Sequence, residues 1–148
     1  MANVLVLYAS LTGSTEIMAE TMTEHLQEQG HEVAHKSFDL DPIEVSRLEE
    51  FDGILFGSYS WDDDIPFEVE DFYEDMEEID LTGKVVGVFG SCDAYYDIYG
   101  PALDTLAARA TEQNATVYEK KFKFELEPDD KDIEHGKTFA DAVLNLKE

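Results

Sequence analysis

The sequence predicts a doubly wound α/β domain: a five-stranded parallel sheet in the order 2-1-3-4-5, with helices on both faces. Three observations predict it. Continuous apolar runs at Val4–Ala9, Gly53–Gly57 and Val85–Gly90 suit central strands covered on both faces. Segments with helical periodicity alternate with those runs, and the connections between them are short. Two further runs alternate apolar and polar residues, as edge strands do.

In chain order, strands are expected at 3–9, 31–38, 52–58, 84–90 and 115–126. Helices are expected at 15–29, 66–78, 100–113 and 130–147, and a short, weakly periodic segment at 42–49. Met18, Met22, His25 and Leu26 share one face of the first helix. Val69, Phe72, Tyr73, Met76 and Ile79 repeat at helical spacing in the second. Leu103, Leu106, Ala107 and Ala110 do so in the third, after Pro101, which suits a helix start. Gly30 and Asn114 are the expected helix stops, because both residue types tolerate the left-handed backbone that ends a helix. His31–His35 and Lys121–Leu126 read as the two edges, which places strands two and five outermost. With right-handed crossovers the order 2-1-3-4-5 follows.

The bulk composition agrees. A chain of 148 residues with 43% apolar content is expected to form one domain, residues 1–148. No window approaches the roughly 18 apolar residues of a membrane span, and the amino terminus lacks the charged region of a secretory signal. Cys92 is the only cysteine, so no intrachain disulfide can form; a cytoplasmic location is expected. Thirty-five acids against 10 Lys and Arg give a net charge of −25. That charge argues against nucleic acid, which is itself a polyanion. It favours a basic-faced partner met in a fast, salt-sensitive encounter, and it opposes self-association, so a monomer is expected.

In this fold the ligand crevice lies at the carboxyl ends of strands one and three, where the winding reverses. Three loops are expected there: 10–15, 58–65 and 91–99. The first is Ser10-Leu11-Thr12-Gly13-Ser14-Thr15, which joins a central strand to a helix N-terminus. Free N–H groups and the positive end of the helix dipole favour an anion there. Gly13 lets the backbone approach closely. Four hydroxyls exceed what a helix cap needs, and the turn contains no Lys or Arg, so the reading is a neutral phosphate nest.

Other phosphate turns fit badly. The chain has neither G-x-x-x-x-G-K nor G-x-G-x-x-G. A low-molecular-weight tyrosine phosphatase needs a cysteine and an arginine in this turn. A response regulator needs acids after strand one and an aspartate after strand three, where this chain has Ala9-Ser10 and Ser58.

The second loop, Ser58-Tyr59-Ser60-Trp61-Asp62-Asp63-Asp64, and the third, Ser91-Cys92-Asp93-Ala94-Tyr95-Tyr96-Asp97-Ile98-Tyr99-Gly100, bring large aromatics to the same crevice. Phe56 and Phe89 lie inside strands and read as core. Trp61 is set among polar residues and does not. Two rings across a slot would sandwich a flat ligand; offset stacking contributes about 1 kcal/mol per pair beyond burial.

The S-x-T-G-x-T turn, the S-x-S-W loop and the G-S-x-D-x-x-Y loop together resemble a flavodoxin over the whole chain. The uninterrupted segment 115–126 resembles the short-chain type. The resemblance implies non-covalently bound FMN and a low-potential one-electron carrier that shuttles electrons between redox enzymes and is not itself an enzyme. A flavin-dependent NAD(P)H or quinone reductase on the same fold is the alternative. By resemblance, Ser10, Leu11, Thr12, Gly13, Ser14 and Thr15 form the phosphate turn, and Ser58 and Ser60 flank the phosphate–ribityl region. Trp61 and Tyr96 would cover the two faces of the isoalloxazine. Main chain around Asp62, Asp93, Ile98 and Gly100 would reach the pyrimidine edge and N5. Tyr59, Ser91, Cys92 and Tyr99 complete the cofactor-binding positions, with the Cys92 side chain read as packing.

One departure stands out. Many relatives carry glycine where this chain has Asp62. A peptide that must flip to meet reduced N5 is resisted by a side chain to about 1 kcal/mol. Weaker stabilisation of the half-reduced flavin is therefore expected here.

Overall fold

The computed structural model describes residues 3–8, 14–37, 45–57, 72–92, 101–118, 122–125 and 130–145. The elements are β1 (Asn3–Tyr8), α1 (Ser14–Glu28), β2 (Glu32–Ser37), β3 (Gly53–Gly57), β4 (Val85–Cys92), α2 (Pro101–Glu112), β5 (Thr116–Val117), β6 (Phe122–Glu125) and α3 (Asp130–Asn145). A 3-10 turn at Val45–Glu50 leads into β3. Residues 72–75 are helical and tighten into a second 3-10 turn at Met76–Glu78. Among the described residues, no helix is long and apolar enough to cross a membrane.

All strand pairings are parallel, in the order β2-β1-β3-β4-β5, as the alternation of apolar runs and helices requires. The expected strand at 115–126 comes as two segments. β5 pairs with the start of β4 (Val85↔Thr116), and β6 pairs with its end (Cys92↔Glu125). This second pairing also corrects the end of β4. Ser91 and Cys92, expected in a loop, are strand residues because Phe124 and Glu125 supply them with neighbours.

The sheet has a core on each face. Leu5, Leu7, Ile54, Phe56, Val86 and Val88 meet Phe72, Met76, Leu106 and Ala110 on one side. Val4, Val6, Tyr8, Leu55 and Phe89 meet Met18, Met22 and Leu26 of α1 and Phe139 and Val143 of α3 on the other. Strands buried on both faces must be apolar at every position, which is why β1, β3 and β4 read as unbroken runs.

The expected stops hold. Gly30 has φ +96° and Asn114 has φ 75°, both in the left-handed region. Each is followed by a chain reversal closed by backbone bonds: His31 N–H donates to the Leu26 carbonyl, and Ala115 N–H to that of Ala110. His25 only half belongs to the α1 stripe. Its Nε2 lies 3.0 Å from Asp141 of α3, tying the two helices on that face together.

Candidate functional site

The carboxyl ends of the three central strands lie side by side. Tyr8, the last residue of β1, pairs with Gly57, the last of β3, and Gly57 pairs with Phe89 of β4. At the usual strand spacing these three positions span about 10 Å. β4 then runs on to Cys92, paired only with β6 among the described residues. β4 thus forms a wall beside the point where β1 and β3 end.

The winding reverses between β1 and β3: the chain goes from β1 outward to β2, then returns across β1 to β3. A parallel sheet opens a crevice at such a point. Helix α1 begins at Ser14, a few residues beyond the end of β1, so its first N–H groups, which have no partner within the helix, and its positive dipole end lie at this edge. Phe89 is fully buried, and its ring fills the space beside Gly57.

Two described side chains frame this joint. The Tyr8 hydroxyl donates to Glu16 Oε1 at 3.3 Å, linking the end of β1 to the first turn of α1. The Tyr8 ring is stacked on His35 of β2, with centroids 5.0 Å apart and planes at 26°. Sequence reasoning assigned neither residue to the site. Tyr8 reads as the end of an apolar strand, and Glu16 as one of many helix acids; their contact is between two different elements.

Of the candidate positions, Ser14 and Thr15 open α1 and Ser91 and Cys92 close β4, all at this edge of the sheet. Ser10, Leu11, Thr12, Gly13, Ser58, Tyr59, Ser60, Trp61, Asp62, Asp93, Tyr96, Ile98, Tyr99 and Gly100 lie outside the described residues. The described chain ends lead into the segments that hold them: 9–13 follows Tyr8, 58–71 follows Gly57, and 93–100 joins Cys92 to Pro101.

The described surroundings suit FMN. A helix N-terminus can take the phosphate without a cation. A parallel sheet that reverses its winding beside a helix N-terminus belongs to the doubly wound α/β class, whose ligands bind in the crevice at that point.

Comparison with known proteins narrows the class to a family. The flavodoxin family model matches residues 6–136. The chain is 37% identical to probable flavodoxin 2 of Bacillus subtilis over 146 residues, covering 95% of each. Oxidised flavodoxin 1 of Bacillus cereus superposes with a TM-score of 0.92 at 39% identity, covering 97% of each chain. A short-chain flavodoxin associated with a non-canonical PDU bacterial microcompartment gives 0.92 at 31% identity over the full length of both. The chain belongs to the flavodoxin family, in its short-chain form. It is an FMN-binding electron carrier that passes electrons to redox partner enzymes, and not an enzyme.

Proposed function

We propose that residues 1–148 form one domain that serves in the cytoplasm as a monomeric, low-potential one-electron shuttle docking on basic-faced redox enzymes. The observation that carries the placement of the cofactor is the β1–α1 joint: a central strand ending at Tyr8 beside a helix that starts at Ser14, with four hydroxyls and no cation between residues 10 and 15. In this reading Ser10, Leu11, Thr12, Gly13, Ser14 and Thr15 surround the phosphate, using backbone N–H groups and hydroxyls. Ser58, Tyr59 and Ser60 line the ribityl side, and Trp61 and Tyr96 flank the ring and exclude water from it. Main chain near Asp62, Asp93, Ile98 and Gly100 borders the polar edge, with Ser91, Cys92 and Tyr99 beside it. Asp62 in place of glycine stiffens the peptide that follows Trp61.

FMN, when bound, supplies the one-electron chemistry. The chain supplies the field. Asp62, Asp63, Asp64, Asp93 and Asp97 all fall in the two ring-side segments. A carboxylate about 8 Å away, at an effective dielectric near 20, opposes an added electron by about 2 kcal/mol, or roughly 90 mV. The same acids attract a basic docking face, in contacts that are small and transient.

The test is a visible absorption spectrum of the purified chain, followed by addition of NAD(P)H. Bound flavin bands with negligible NAD(P)H oxidation are expected. Steady oxidation by the protein alone would favour a flavin-dependent NAD(P)H or quinone reductase, and a colourless protein that takes up no FMN would overturn both.

A further inference from the structure

The contact between Tyr8 and Glu16 joins the two ends of the segment proposed to hold the phosphate. Tyr8 is the last residue of β1 and Glu16 the third of α1; residues 9–15 lie between them. The Tyr8 hydroxyl reaches Glu16 Oε1 at 3.3 Å. Tyr8 itself has little freedom. Its side chain is buried in the core formed with α1, and its ring is backed by the His35 ring on the neighbouring strand. β1 is a central strand, held by β2 on one side and β3 on the other. The hydroxyl is therefore a fixed point, and the first turn of α1 is tethered to it.

We propose that Tyr8 and Glu16 are positioning residues for the cofactor phosphate: their hydrogen bond holds the turn between them in its anion-binding shape. This rests on the reading of residues 10–15 as the phosphate turn. The choice of Glu16 needs explaining on charge grounds, because a carboxylate beside a phosphate repels it. A helix N-terminus does favour an acidic residue in its first turn. That accounts for an acid there, but not for a buried tyrosine aimed at it from the strand. The pairing does account for both. It ties the carboxylate to the strand and limits the conformations the turn must give up when the phosphate enters. A contact of 3.3 Å is long for O–H···O, so the expected effect is moderate.

Riboflavin lacks the phosphate and does not engage the turn. Displacement of bound FMN by riboflavin in the full-length holoprotein therefore reads the phosphate contribution alone, as the ratio of the two dissociation constants. The wild-type chain is expected to prefer FMN strongly. Tyr8→Phe keeps the ring and its stack on His35 but removes the donor; the preference is expected to fall roughly fivefold. Glu16→Gln keeps an acceptor and removes the charge, and the preference is expected to hold or rise. Should Tyr8→Phe fail to fold, Glu16→Ala in about 1 M salt, where the charge is screened, is expected to show the same fall. A wild-type chain that does not prefer FMN would sink the phosphate reading itself. A wild-type preference left unchanged by Tyr8→Phe, even with a lower melting temperature, would leave that reading standing and overturn the positioning role. An equal fall in Glu16→Gln would overturn it too, by assigning the effect to charge.

Discussion

The ring of Phe89 occupies the space that any side chain at Gly57 would need. The two residues are direct partners across β3 and β4, and a Cβ on Gly57 would come within 2.7 Å of the ring atom Cε2. Phe89 is fully buried and flanked by the core it shares with α1 and α3, so it has nowhere to retreat. Gly57→Ala is expected to lower stability by about 1–3 kcal/mol, the usual range for overpacking a filled core. Equilibrium denaturation of the variant checks this; an unchanged midpoint would mean the ring moves freely.

Arg109 offers a second test. It is only 10% exposed, lies 4.2 Å over the Tyr73 ring, and pairs with Glu77 at 2.9 Å. Burial alone would lower its pKa, but the contacts with Tyr73 and Glu77 outweigh that and raise it, so it stays charged. It ties α2 to the helical segment at 72–78, across one face of the sheet. Its Nε finds no hydrogen-bond partner among the described residues. Arg109→Met keeps much of the packing, loses the cation–π and ionic contacts and removes that orphan donor, so a loss of about 1–2 kcal/mol is expected. Arg109→Lys is expected to recover only part, because an ammonium cannot lie flat on the ring while meeting Glu77.

Asp80 predicts a pH dependence. Its carboxylate accepts from the Thr82 hydroxyl at 2.6 Å, the Thr82 N–H at 3.0 Å and Asn114 Nδ2 at 3.2 Å. The Thr82 side chain, then the Thr82 backbone and Asn114, hold its pKa below the ordinary 3.8. A lowered carboxylate pKa stabilises the fold above the unfolded-state value and loses that contribution as pH falls through the folded-state value. Asp80→Asn is expected to lower stability at neutral pH, where the carboxylate contributes, and to converge on wild type as pH falls through the folded-state value. Melting curves between pH 2 and 5 read the difference; parallel curves for both proteins would refute it.

Glu16, Glu20, Glu24 and Glu28 follow one another at four-residue spacing along α1, and the last three are exposed. Like charges at that spacing destabilise a helix by a few tenths of a kcal/mol per pair. Glu24→Lys converts two repulsions into attractions and is expected to stabilise the protein by about 1 kcal/mol at low ionic strength. The gain should shrink in 1 M salt, where the Debye length is about 3 Å. Equal gains at both salt concentrations would point to something other than charge.

The ring-side acids make a prediction for the bound cofactor. Replacing Asp62, Asp63, Asp64, Asp93 and Asp97 in pairs with Asn is expected to make the second one-electron reduction easier, by up to roughly 90 mV for each carboxylate, less screening. A potentiometric titration measures it, and unchanged potentials would remove the electrostatic argument. Electron transfer from a basic-faced reductase to the same variants should also lose part of its salt dependence.

The sheet order was legible because burial on both faces leaves its mark locally: β1, β3 and β4 are unbroken apolar runs, and Gly30 and Asn114 mark the helix ends through their own backbone preference. The proposed phosphate turn rests on a similarly local signal, since its hydroxyls and glycine sit in six consecutive residues. Other features depend on residues far apart in the chain. The His25–Asp141 pair joins residues 116 apart. The division of the fifth strand follows from which part of β4 each piece meets. The lack of room at Gly57 depends on a ring from the next strand, and Glu16 acquires a role only when Tyr8 is brought beside it. Periodicity and short motifs record what each segment needs from its own neighbours in sequence. Contacts between segments depend on packing distances and directions that no single stretch encodes, so the tertiary structure alone decided them.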